Sequence, residues 1–107
     1  MTPEESQLKL EKLGGEWSEL NCAASLLEDT SKSVLAQLCL NYLPSAKTAA
    51  RAKLMGEASQ DYMEHIKKAC EARKLSNISK VNFDAFKVYL DLERTKQATD
   101  RAQMSMR

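Results

Sequence analysis

The side chains able to do chemistry are few, and their spacing argues against catalysis. The one histidine, His65, stands one turn after Asp61 and beside Glu64, a setting in which a general base can be tuned. A lone histidine on a helix is more often a residue at an interface edge, and that is the expectation for it here. Cys22, Cys39 and Cys70 are separated by 17 and 31 residues. Neither gap is a zinc-ligand spacing, and His65 does not complete one. Each thiol is therefore expected to be a small buried hydrophobe. The sequence holds no nucleophile elbow, helical histidine-carboxylate motif or calcium loop, and three glycines are too few to cradle a phosphate. These absences predict a protein that is not an enzyme and that uses no cofactor and no metal.

What remains is positive charge. Residues 1–43 carry three basic and seven acidic side chains, whereas residues 44–107 carry thirteen and eight, within a formal net charge of +1. Any anion-binding surface therefore belongs to the second part. Lys47, Arg51 and Lys53 occur without an intervening acid, and Lys67, Lys68, Arg73 and Lys74 share a helix with only Glu71 among them. Lys47 and Arg51 are four apart, and Lys67, Arg73 and Lys74 fall close to one face. Such cations can neutralise phosphates without reading bases, and binding that relies on them falls steeply with salt. Tyr62 is the candidate stacking platform for a base. The plainer expectation is a solvated face held by pairs such as Glu64 with Lys68, with Trp17, Tyr62, Met55 and Met63 packed in the core.

The elements that must carry these residues are helical. Thr2-Pro3-Glu4-Glu5 supplies a hydroxyl cap, a proline at the first helical position and a glutamate three after the cap. From there Leu10, Leu13, Trp17, Leu20, Ala24, Leu27, Ser31, Val34 and Leu38 alternate steps of three and four, an a/d seam flanked by Leu26, Leu35 and Cys39. Gly14-Gly15 costs about 2 kcal/mol relative to two alanines, so a kink or break there competes with a continuous helix. Leu43-Pro44 predicts the end of the first helix. Ser45 is the expected cap of a short basic helix that Gly56 terminates, and Ser59 the cap of a third with Asp61 in its first turn. Along that third helix Tyr62, Ile66, Ala69 or Cys70, Leu75, Ile78, Val81, Ala85, Val88 or Tyr89, Leu92, Ala102 and Met106 recur at helical spacing. Ser76-Asn77-Ile78-Ser79 is its weak stretch.

With no alternating β-branched run and no internal repeat, the fold class is all-α. Helices at about 3–42, 45–55 and 60–104 form a single helical domain spanning 1–107. A helix of about 40 residues is about 60 Å long, while a compact chain of this length has a radius of gyration of about 13 Å. The expectation is an elongated antiparallel hairpin with coiled-coil-like packing: a long helix, a short basic connector and a long return helix. Wide stripes on two helices leave apolar surface uncovered, which predicts a homo-oligomer. No apolar run reaches the roughly 18 residues of a membrane span. A polar, acidic start without an apolar signal segment, and three cysteines, predict a reducing, cytoplasmic setting.

The second part also carries more specific motifs. These are Ala49-Ala50-x-Ala52, Tyr62-x-x-His65-Ile66, and Arg94-Thr95-x-x-Ala98-Thr99-x-Arg101-Ala102-x-Met104. Over about residues 32–104 the chain resembles small helical proteins that tailed phages and prophages encode among their homologous-recombination genes. That group often has proline just before the tyrosine helix, where this chain reads Ser59-Gln60-Asp61. The layout is also similar to that of the recombination mediators of T-even phages. The resemblance implies an oligomeric helical protein that binds single-stranded DNA through basic side chains and works with a recombinase or a single-strand-binding protein in the bacterial host cell. The alternative is a helical protein–protein interaction module, a phage structural part or an inhibitor of a host complex, that binds no nucleic acid.

Overall fold

The computed structural model describes residues 1–106. Three α-helices follow one another, α1 (Pro3–Ala46), α2 (Ala49–Glu57) and α3 (Gln60–Ser105). No strand occurs among the described residues. The all-α class and the long, short, long order are those the spacing predicts. At the start of α1 the Glu5 N–H donates to Thr2 Oγ1 at 3.1 Å and the Thr2 N–H donates to Glu5 Oε2 at 3.2 Å. This reciprocal box satisfies donors that a helix start leaves free. The helices are unbroken at both Gly14-Gly15 and Ser76–Ser79.

The connection between α1 and α2 lies further along than expected. Pro44 sits inside the last turn of α1, where the missing N–H forfeits a single intrahelical bond, and the helix continues to Ala46. The chain leaves the helix at Lys47, whose φ is 69° and whose N–H donates to the Leu43 carbonyl at 3.0 Å. That is the left-handed closure usually given to glycine. The cap of α2 is accordingly Thr48 and not Ser45, with Thr48 Oγ1 accepting from the Arg51 N–H at 3.2 Å. Gly56 does not terminate α2. It is helical and buried, and a Cβ there would stand 3.3 Å from both Cys39 Sγ and Leu35 Cδ1. Glycine is what lets α2 approach α1. Ser59 does cap α3: its Oγ accepts from the Tyr62 N–H at 3.2 Å and donates to the Gly56 carbonyl at 2.7 Å.

Contacts gather the chain into two units. Unit 1 is Met1–Ser18 with the chain from Ile78 onward, and unit 2 is Glu19–Asn77. In unit 1, α1 and α3 pair antiparallel around aromatic rings. Trp17 stacks on Phe83 with ring centroids 6.3 Å apart, Phe86 is buried, and Lys9, Lys80 and Lys87 lie over the Phe86, Trp17 and Phe83 rings at 4.8, 5.8 and 4.5 Å. In unit 2 the same antiparallel pairing is made by small residues. Ala24, Ala46, Ala52, Gly56, Ala69 and Ser76 are its buried positions.

The a/d seam expected on α1 faces inward along its whole length, every member buried or half-buried, whereas Leu26 beside it is 64% exposed. On α3 the expected stripe holds only to Ala69. Beyond it the inward positions are Ala72, Ser76, Ser79, Phe83, Phe86 and Leu90, while Leu75, Ile78, Val81, Ala85, Val88, Tyr89 and Leu92 are exposed. The helix is apolar along two lines, and periodicity alone does not say which one meets α1. The phenylalanine line wins because an aromatic ring buries more apolar area than valine, and because Gly14 leaves room for Phe83. A Cβ on Gly14 would lie 3.2 Å from the Phe83 ring, whereas one on Gly15 meets nothing within 4 Å. Gly15→Ala is therefore expected to stabilise the fold by about 0.5–1 kcal/mol in urea unfolding. Gly14→Ala should gain distinctly less, and equal gains would show that the ring does not need the glycine.

Candidate nucleic-acid interface

All the basic side chains singled out from the sequence lie in unit 2, and helix geometry decides where each one points. On α2, Arg51 and Lys53 flank the buried Ala52. At 100° per residue they leave the helix on opposite sides. Lys47 stands at the left-handed turn between α1 and α2. On α3, Lys67 and Lys74 each precede an inward residue, Ala69 and Ser76, by two positions. They therefore share the outward line, about 10.5 Å apart along the axis. Lys68 emerges on a flank. The cations fan out around unit 2 and line no single groove.

Arg73 does not share the outward face with Lys67 and Lys74. One turn after Ala69, its guanidinium reaches across to α1 and uses four of its five N–H donors there. Nε donates to Glu28 Oε2 at 3.0 Å, Nη2 to Glu28 Oε1 at 2.6 Å and to Ser25 Oγ at 3.1 Å, and Nη1 to Asn21 Oδ1 at 2.7 Å. The fork makes Arg73 a fastener of the hairpin. Lys53 has Glu57 at 3.9 Å. Lys47, Arg51, Lys67, Lys68 and Lys74 are exposed and form no ion pair among the described residues. Glu64 accepts from Gln60 Nε2 at 3.2 Å instead of pairing with Lys68.

Tyr62 is half-buried on the inward side of α3, a packing position more than a platform for a base, while Met63 next to it is 62% exposed and not in the core. His65 is half-buried at the α1 seam. Its Nε2 lies 3.0 Å from the Leu27 carbonyl and 3.5 Å from Thr30 Oγ1, so it serves the helix interface as expected. Of the cysteines only Cys39 is half-buried, against Gly56; Cys22 and Cys70 are exposed thiols and not core hydrophobes. No metal-binding grouping of His, Cys, Asp and Glu occurs among the described residues. Among them, too, no helix is long and apolar enough to cross a membrane. No known protein family, curated protein or solved structure matches the chain.

The one site that sequence reasoning missed is the Arg73 fork. Its partners stand 45 to 52 residues away. The only signal was a polar line, Asn21, Ser25 and Glu28, along the edge of an apolar seam. Hydrogen bonding to Arg73 holds the Glu28 carboxyl below its ordinary range and raises the Arg73 guanidinium above its own. A depressed carboxylate contributes stability above its unfolded value, and that contribution is lost as pH falls through the folded one. The pair is partly exposed, with side chains 30% and 45% accessible, so salt weakens it. The thermal midpoint of the wild type should fall more steeply between about pH 5 and about pH 3 than that of Glu28→Gln. Arg73→Ala should lower the midpoint at neutral pH by a few degrees. Parallel acid curves for wild type and Glu28→Gln would show that the fork carries no linkage.

Proposed function

We propose that the chain is a non-enzymatic accessory of phage homologous recombination, holding single-stranded DNA by its phosphates in the bacterial cytoplasm and acting beside a recombinase or single-strand-binding protein. The observation that supports this reading is the set of five exposed cations that residues 44–77 add to unit 2, Lys47, Arg51, Lys67, Lys68 and Lys74, none paired with a carboxylate among the described residues. Cations that diverge around a helical body suit a flexible strand that bends along them, and they do not suit base reading, which needs side chains converging on base edges. Lys53 adds to the set when Glu57 releases it. Arg73 contributes indirectly, by holding α3 to α1.

If all five neutralise phosphates, the logarithm of the affinity for a fluorescent oligonucleotide should fall with the logarithm of salt with a slope of about −3.5. Arg51→Glu combined with Lys67→Glu should abolish binding at about 50 mM salt while helicity is kept. Affinity indifferent to salt, or untouched by the double reversal, would remove the reading.

A second reading is a protein–protein interaction module without nucleic-acid binding. It is favoured by Leu26, Leu40, Leu54 and Met63, each more than 60% exposed on unit 2. Under that reading the double charge reversal leaves partner capture intact.

A further inference from the structure

The second apolar line of α3 belongs wholly to unit 1, and it has a heptad rhythm of its own. Ile78, Val81, Ala85, Val88, Leu92, Thr95, Thr99 and Ala102 follow one another at steps of three and four without a gap. All of them are exposed, Ile78 at 49%, Val81 at 65%, Val88 at 57% and Leu92 at 65%. The line lies on the side of α3 away from Phe83 and Phe86. The two threonines fit the pattern once their hydroxyls are accounted for. Thr95 Oγ1 donates to the Asp91 carbonyl and Thr99 Oγ1 to the Thr95 carbonyl, each at 3.0 Å. Each hydroxyl is satisfied by its own helix, so the methyl group is what the threonine adds to the line. Upstream the same rhythm meets Glu71 and Lys74, so the apolar stretch begins at Ile78.

We infer that this line is a parallel coiled-coil seam that takes the same line of a second copy of the chain. A line of a and d positions sustained for more than three heptads is what such pairing uses. Charge decides the direction. In parallel register the flanking positions set Asp91 of one copy against Lys96 of the other, and the symmetry of the pair makes this contact twice. Asn77 meets Asn82 and Asp84 meets Tyr89 in the same way. In antiparallel registers that keep five or more apolar layers, carboxylate faces carboxylate, Asp84 against Asp91, Asp84 against Asp84, or Asp91 against Asp91, each with only its own helix's Lys87 or Arg94 at 3.2 or 4.0 Å to offset it. Like charges across a coiled-coil flank specify against a pairing. The seam also gives a role to the motif Arg94-Thr95-x-x-Ala98-Thr99-x-Arg101-Ala102, whose small residues fall at or beside the contact line and permit close approach.

Two measurements test it. Light scattering should give the wild type at least twice the mass of one chain, and Val81→Asp with Val88→Asp should return a single-chain mass with the circular dichroism of the helices kept, since both residues are exposed. In a background of Cys22→Ser, Cys39→Ala and Cys70→Ser, Ala102→Cys should form an intermolecular disulfide under mild oxidation, because parallel register places the two copies of that position side by side. A wild type that stays single-chain at high micromolar concentration, a double aspartate variant with the wild-type mass, or an Ala102→Cys variant that fails to cross-link would each overturn the inference.

Discussion

A helix packed on one neighbour buries one line of side chains, and everything outside that line faces water unless something else covers it. Here the constraint is severe because the buried line is made of small residues. The buried apolar positions are Ala24, Ala46, Ala52, Ala69 and Phe86, and burying an alanine removes far less apolar area from water than burying a leucine. The long side chains of the α1 seam are only half covered, and α3 carries a second apolar line. The hairpin solves the close approach of its helices at the expense of hydrophobic burial. Apolar surface left over in this way favours association.

The two units meet the same constraint differently. In unit 2 alanine, glycine and serine let the backbones come near, and polar contacts finish the seam: the four-bond fork of Arg73, and His65 at the Leu27 carbonyl. In unit 1 the seam is aromatic, and three lysines lay their charge over ring faces. Cation–π contact of this kind lets a lysine cover apolar surface without leaving water. Gly14 belongs to the aromatic solution and Gly56 to the small-residue one, so two of the three glycines are explained by what approaches them, not by backbone conformation.

Most of the architecture was legible in the residues. The capping box at Thr2, the cap at Ser59, the inward seam of α1 and the succession of long, short and long helices all follow from local chemistry and a period near 3.5. What was not legible was set by competition between local signals. Pro44 reads as a stop, yet one lost hydrogen bond in a last turn is tolerated, and Lys47 takes the left-handed position. Two apolar lines on α3 satisfy the same periodicity, and the burial of Phe86 together with the fit of Phe83 against Gly14 and Trp17 selects between them. Of the candidate site, the exposure of Arg51, Lys67, Lys68 and Lys74 was foreseeable from helix spacing, whereas Lys47, expected on the short helix four before Arg51, stands in the turn ahead of it. The engagement of Arg73 was not, because its partners lie beyond any local window.

The basic excess of the second part therefore divides by job. Lys53, Arg73, Lys87 and Arg94 have carboxylate partners within 4.0 Å, and Lys80 lies over Trp17. A guanidinium that already holds two carboxylate oxygens must give them up before it can hold a phosphate, so charge counted from composition overstates what is free to bind. The cations without such engagements fall mainly in unit 2. The apolar line without a partner falls in unit 1. The unpaired cations and the uncovered apolar line are thus different residues, and each can be substituted without touching the other. Neither set takes part in the seams that hold α1 to α3, so neither is required for the stability those seams provide.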